Sequence, residues 1–270
     1  MSQSKITARL ANIPYWLLFI LLGGVILAFQ FVTNSTYADV FRTIIGGVFV
    51  TMQVTLFAYA SALVIGLLTG MGQLSKNILI RNLAMTYVQV IRGVPILVQI
   101  FYVALVITPG TVSIINALGR LFSPENALTQ LSVRDISFTL RGIFALAISY
   151  GAFSAEIFRA GIQSIEQGQT EAAAALGLSR WQALRLVVLP QAIRRVLPPL
   201  GNDFISMLKE SSLVGILGVD EITGLGRKYA STSFRYPETY NTLAFLYLSM
   251  TLLLSLLVRT LEKHLNPARR

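Results

Sequence analysis

The sequence predicts an all-α, polytopic membrane helix bundle. Three observations carry that expectation. Of the 270 residues, 54% are apolar and only 13% charged. Mean hydropathy is +0.66. The apolar residues gather in several runs of the roughly 20 residues that cross a bilayer. Hydrocarbon offers the backbone no hydrogen-bond partners, so such runs are read as helices. Candidate spans fall at 15–32, 45–72, 84–107, 141–163, 186–208 and 240–260.

The first run follows Lys5 and Arg9 but is longer than a signal-peptide core and lacks a small-residue cleavage pattern before Thr33, so it reads as a span. The second carries Gly46, Gly47, Gly66, Gly70 and Gly72, small residues that let helices approach closely. In the third, Arg92-Gly93-Val94-Pro95 predicts a bend or break, with the arginine bridging to a carboxylate or snorkelling. Residues 108–139, with Pro109-Gly110 and Ser123-Pro124, read as a long outer loop holding a short helix near 112–121.

In the fourth span, Glu156 sits where an unpaired carboxylate is expensive. Arg159 at i+3 or Arg92 on another span is the expected partner, and a wet cavity is the alternative. The fifth span bends at Pro198-Pro199 and then presents Asn202, Asp203, Ser206 and Lys209 as one polar stripe, with Met207 and Leu208 turned to packing. These make Glu156, Asn202, Asp203, Ser206 and Arg92 candidates for a substrate path, each weighed against a purely structural network. Residues 210–236 mix Leu213–Leu217 with Asp220 and Glu221, which suits a segment that re-enters or lies on the protein surface.

With the N-terminus in the cytoplasm, the basic excess falls on the inner side, at Lys76, Arg81, Arg180, Arg185, Arg194, Arg195 and the C-terminal tail. The net charge of +10 is thereby explained by span ends, and no nucleic-acid partner is expected. The absence of cysteine excludes disulfides, thiol catalysis and thiolate metal sites, and a lone histidine, His264, makes no metal cluster. No Gly-rich segment ends in Gly-Lys-Ser/Thr, so the chain does not cradle ATP phosphates itself.

Between the fourth and fifth spans lies a polar, helix-prone island, residues 168–188. Glu171 is expected in a first helical turn, where a carboxylate meets unpaired N–H groups. Alanines 172–175 favour helix and leave a narrow surface, Gly177 permits a sharp reversal, and Ser179 with Gln182 reads as a capping box opening a second short helix. Pro190 then redirects the chain into the bilayer.

Glu171-Ala172-Ala173, Gly177, Val187 and Leu189-Pro190, at these spacings, resemble the EAA signature of permease subunits in bacterial ABC importers, with Val187 where the pattern usually has isoleucine. The stretches 47–55, 92–99, 155–165 and 190–203 resemble the polar amino-acid branch of that family, and the likeness runs over roughly 43–262. It implies a type I importer fold with a five-span core, an extra N-terminal helix within residues 1–40, and a transmembrane domain over 41–270. It also implies that 168–188 is the segment docking on a separate cytoplasmic ATPase dimer. On that resemblance Glu171 makes polar contact with the ATPase, Ala172 and Ala173 pack closely, Gly177 turns the chain, and Arg180 joins the coupling surface. The cofactors implied, ATP and Mg, reside on the ATPase and none in this chain. The remaining partners implied are a second permease copy or paralogue, an extracytoplasmic solute-binding protein and the lipid of the bacterial inner membrane, with both termini cytoplasmic. The function implied is non-enzymatic: ATP-driven import of polar L-amino acids, acidic, amide or basic. An ion-coupled secondary amino-acid transporter is the alternative, although it should show internal duplication, which is not found.

Overall fold

Twelve α-helices, two π-turns and two 3₁₀ segments make up the described residues, 15–122 and 131–265 of this computed structural model. Helix α1 is Tyr15–Thr33, and Asn34 caps α2, Ser35–Ile45, by accepting from the Thr36 N–H at 2.9 Å. Helix α3 runs Gly47–Gln73. Helix α4 is Ile78–Gly93, capped by Asn77, and after a break α5 begins at Ile96 and runs to Tyr102. A π-turn, Val103–Ile107, joins it to α6, Thr108–Phe122. Then come α7, Phe138–Gln163; α8, Gln167–Ala175; α9, Arg180–Ala183; a second π-turn, Leu184–Val188; and α10, Leu189–Glu210. A 3₁₀ segment, Ser211–Leu217, leads to α11, Ile222–Ser233, and α12, Tyr236–Leu265.

Among the described residues, four helical stretches are long and apolar enough to cross a membrane: Ser35–Gln73, Ile96–Leu121, Phe138–Gln163 and Tyr236–Glu262. The α10 helix has the length but carries Arg194, Arg195, Asp203, Lys209 and Glu210, which dilute its hydropathy. The third predicted span, 84–107, is divided at Gly93–Pro95, and the apolar segment after the break extends as helix to Phe122. The loop expected from residue 108 is therefore helical at its start. Pro109 and Gly110 read as a turn signal, but here the proline follows a π-turn within one continuous helical run, Ile96–Leu121, and the widened turn accommodates its ring.

The core is organised around α3 and α7, which lie side by side and parallel: a Cβ on Gly66 would meet Ser154 Cβ at 2.6 Å, and one on Gly70 would meet the Ala155 carbonyl oxygen at 2.9 Å. Only glycine allows this approach. Val54, Ala58 and Ala62 of α3 pack there with Ile100, Leu146, Tyr150, Met207 and Val214. Helix α10 packs against both, with Gly161 of α7 against Val196 and the Tyr59 hydroxyl of α3 on the Leu200 carbonyl. A second cluster, Val40, Ile44, Ile222, Leu243 and Leu246, ties α2 to α11 and α12.

The segment after α10, expected to re-enter or to lie on the protein surface, packs against the bundle, with Val214 and Ile222 fully buried. Glu221 is fully buried and caps α11, accepting from the Gly224 N–H at 2.6 Å, the Thr223 N–H at 2.9 Å and the Tyr247 hydroxyl at 2.9 Å. Burial pushes its carboxyl above the ordinary carboxylate range, and those donors pull it back down.

Candidate functional site: a coupling segment and a polar path

The α8 to α9 segment is shaped by local chemistry. Helix α8 ends at Leu176 in a Schellman arrangement: Gly177, at φ +77°, donates its N–H to the Ala174 carbonyl at 3.0 Å, and Leu178 donates to that of Ala173 at 3.1 Å. Ser179 and Gln182 then form the expected capping box, the Ser179 N–H donating to Gln182 Oε1 at 2.8 Å and the Gln182 N–H to Ser179 Oγ at 3.3 Å. Helix α8 begins at Gln167, so Glu171 falls in its second turn and not its first. Glu171, Ala172 and Gly177 are exposed, whereas Ala173 is only 3% exposed and faces the protein. The Arg180 side chain lies outside the described residues.

Sequence reading missed the most conspicuous groups on this surface. Leu176 is 81% exposed and Trp181 68% exposed, on either side of the Gly177 reversal. Large apolar side chains in such positions mark interaction sites. Their adjacency to the bend was the available signal. The segment is tied to α10 by Gln191 Nε2, which donates to Gln169 Oε1 at 3.4 Å, and by a short contact from Arg195 to the Ser164 carbonyl.

Glu156 takes both predicted partners. Arg159 Nη2 donates to its Oε2 at 2.7 Å, Arg92 Nη1 lies 3.9 Å from the same oxygen, and Gln73 Nε2 donates to Oε1 at 3.2 Å. The Arg92 guanidinium also rests over the Phe153 ring, 5.7 Å from its centre. A cavity of about 510 Å³ opens beside Glu156, lined by Gly161, Ser164, Arg195 and Pro199.

Asp203 belongs to a different group. Ser154 Oγ donates to its Oδ2 at 3.1 Å, and the Tyr59 hydroxyl donates to the Leu200 carbonyl at 2.5 Å nearby. One and two turns on, Tyr150 faces Glu210, whose Oε2 is buried without a hydrogen-bond partner among the described residues. The single predicted stripe is thus divided. Asp203 and Glu210 look toward α7, while Asn202 and Lys209 are exposed on another face and Ser206 is half-buried between them. Met207 and Leu208 are fully buried, as expected. Glu210 escaped sequence reading because it stands at the end of a helix, where a glutamate is ordinarily solvated.

Residues 62–270 match the family model described as "Binding-protein-dependent transport system inner membrane component". The chain belongs to that family. It is the non-catalytic permease subunit of an ABC importer. Among its relatives, the glutamine transport system permease protein GlnP of Escherichia coli (strain K12) is 36% identical over 223 residues, covering 83% of this chain and 93% of GlnP. The probable amino-acid permease protein YxeN of Bacillus subtilis (strain 168) is 34% identical over 230 residues, covering 85% and 94%. The permease also superposes on a crystal structure of an amino acid ABC transporter with histidines, at TM-score 0.69 and 35% identity over 87% of this chain and 98% of that one. The inward-facing MetNI methionine transporter, at 18% identity and TM-score 0.62, shares the fold.

Proposed function

We infer that this permease carries a polar L-amino acid, acidic, amide or basic, across the bacterial inner membrane in an importer energised by a separate ATPase. What supports the substrate class is the agreement among relatives over most of the chain, together with a partly buried polar row, Tyr59, Ser154, Asp203, Tyr150 and Glu210, set between otherwise apolar helices. Two acidic groups in that row favour a substrate bearing an ammonium or a second cationic group. Glu156 is held instead by Arg159 and Gln73, with Arg92 at 3.9 Å, and in this reading braces the helices beside that row.

In this reading α8 and α9 are the coupling element. They dock in a cytoplasmic ATPase dimer through Glu171, Ala172, Arg180 and the exposed Leu176 and Trp181, while Gly177 sets the angle between the two helices. The termini are then cytoplasmic, residues 41–270 form the transmembrane domain with a five-span core, and α1 is an added span. ATP and Mg bind the ATPase. A second permease, identical or paralogous, completes the path, and an extracytoplasmic solute-binding protein delivers the amino acid. ATP-driven approach of the ATPase subunits moves the paired coupling helices and turns the passage outward; hydrolysis returns it. The observation that carries the coupling assignment is the Schellman-ended helix bearing two exposed apolar side chains at the EAA sequence.

The test is Gly177→Asp in proteoliposomes holding the permease with its ATPase and solute-binding protein. A residue other than glycine is strained at φ +77°. The expected outcome is uptake reduced by roughly tenfold or more, the scale on which a misplaced contact of about 1.4 kcal/mol acts. Undiminished ATP-dependent uptake by the variant would remove the coupling assignment, and uptake without the ATPase would remove the importer reading.

A further inference from the structure

The break between α4 and α5 creates a problem that a single side chain solves. Pro95 has no N–H, so the Ile91 carbonyl, four residues earlier, loses its usual donor; the Val94 N–H reaches it only at 3.4 Å. Val94 is extended, with ψ 136°, and its own carbonyl falls outside both helices. Ile91 is half-buried and Val94 is 38% exposed, and in a chain that crosses a bilayer a carbonyl without a partner is costly wherever hydrocarbon takes the place of water.

Gln99, one turn into α5, is only 6% exposed, and its side chain closes the gap. Its Nε2 donates to the Ile91 carbonyl at 2.7 Å and to the Val94 carbonyl at 2.7 Å, so both amide hydrogens are used. Its Oε1 accepts from Ser149 Oγ of α7 at 2.6 Å. The serine shares that hydroxyl with the Ala145 carbonyl at 2.8 Å. Every polar atom of Gln99 is therefore assigned, two bonds to the break and one to α7. Only an amide of this length offers two donors and an acceptor in this arrangement. Leucine would fill the space and satisfy nothing.

We propose that Gln99 is a positioning residue for transport: it stands in for the N–H that Pro95 lacks, holds the α4–α5 break open, and pins that break to α7. Two consequences follow from the connectivity. Arg92 is in the last turn of α4, so the clamp fixes the group that reaches Glu156. Helix α7 leads within a few residues into α8, so displacement of the coupling segment is passed through Ser149 and Gln99 to the broken helix.

The proposal rests on the importer reading only where uptake is measured. The experiment compares Gln99→Leu, Pro95→Ala and the double variant, each purified as the complex with its ATPase and solute-binding protein. Thermal stability is read together with amino acid transported per ATP hydrolysed. The probe is whichever of radiolabelled glutamine, glutamate, histidine or arginine the unmodified complex takes up. Gln99→Leu is expected to lower thermal stability and to cut the transport-to-hydrolysis ratio by roughly tenfold, because two carbonyls left without their donor let the break drift. Adding Pro95→Ala returns an N–H to the chain, allows a continuous helix and restores stability, yet leaves the ratio low because the break is gone. A merely structural role would lower transport and hydrolysis together, in proportion to folded complex. The proposal is overturned if Gln99→Leu keeps the ratio of the unmodified complex, if the double variant regains it, or if Pro95→Ala fails to rescue stability. The last result is independent of transport.

Discussion

At the scale of single residues, this permease spends its unusual side chains on satisfying polar atoms that the surrounding helices cannot reach. Glu221 gathers two N–H groups and a tyrosine hydroxyl, and Glu156 shares two arginines and a glutamine. Glycine serves the opposite purpose by removing atoms. A methyl group on Gly66 would lie 2.6 Å from Ser154 Cβ and 3.1 Å from the Ala155 nitrogen, too close for either helix to ignore. Gly66→Ala is expected to destabilise the bundle by about 1–3 kcal/mol, the usual cost of overpacking. Thermal unfolding in detergent, compared with a Gly23→Ala control in open space on α1, checks this.

At the scale of elements, the two π-turns share a rule. Val103–Ile107 stops two residues before Pro109, and Leu184–Val188 stops two residues before Pro190. In each, the residue ahead of the proline donates to a carbonyl five positions back, Thr108 to Val103 and Leu189 to Leu184. The widened turn makes room for the proline ring without a break, and a π-turn of this kind commonly accompanies function. The second one sits where the coupling segment enters α10, so it sets the rotation of α9 about that axis. Replacing Pro190 with alanine lets the turn relax to ordinary α-helix, which would swing the segment by up to about 100°, one residue's rotation. The expected result is normal folding with uptake lowered by several-fold or more, read from the same reconstituted complex alongside circular dichroism.

The signals that could be read in advance were short-range ones. Gly177 for a positive φ, Ser179 with Gln182 for a capping box, and Arg92-Gly93-Val94-Pro95 for a break each depend on a few adjacent residues, and each has the expected form. What escaped depends on partners far along the chain. Gln99 looks like an ordinary polar residue until Ser149 is beside it, and Glu210 like a solvated helix end until Tyr150 covers it. Polar spacing on α10 suggested one stripe because the helical repeat groups Asn202, Ser206 and Lys209. Only the packing of α7 reveals that Asp203 and Glu210 form the inward-facing set.

At the scale of the whole molecule, α1 stands apart from the bundle. Its attachment is concentrated at one end, where the Phe31 ring lies 4.8 Å from Phe41, 5.1 Å from Phe245 and 6.1 Å from Tyr37. Most of its remaining described side chains are exposed, Phe19 at 74% and Val25 at 65%. Among the described residues its contacts are chiefly with α2 and α12. Removing residues 1–33 is therefore expected to leave ATP-driven uptake per reconstituted complex within about twofold of the full chain, since substitutions remote from such features change energies by only about 0.5 kcal/mol. A larger loss of transport at equal abundance would mean that α1 takes part in the cycle.

The parallel pairing of α3 with α7 also governs events on the ribosome. Neighbouring antiparallel spans can pair as soon as the second emerges, but Ser154 is translated about 90 residues after Gly66, a delay of roughly 4–18 s at 5–20 residues per second. Through that interval the Gly66–Gly70 face of α3 lacks its α7 partner, while α4, made earlier, rests on the opposite face, where its Ala84 reaches Gly72. The nascent permease therefore completes its core late, when α7, the third of its four long apolar stretches, enters the bilayer and seats against α3.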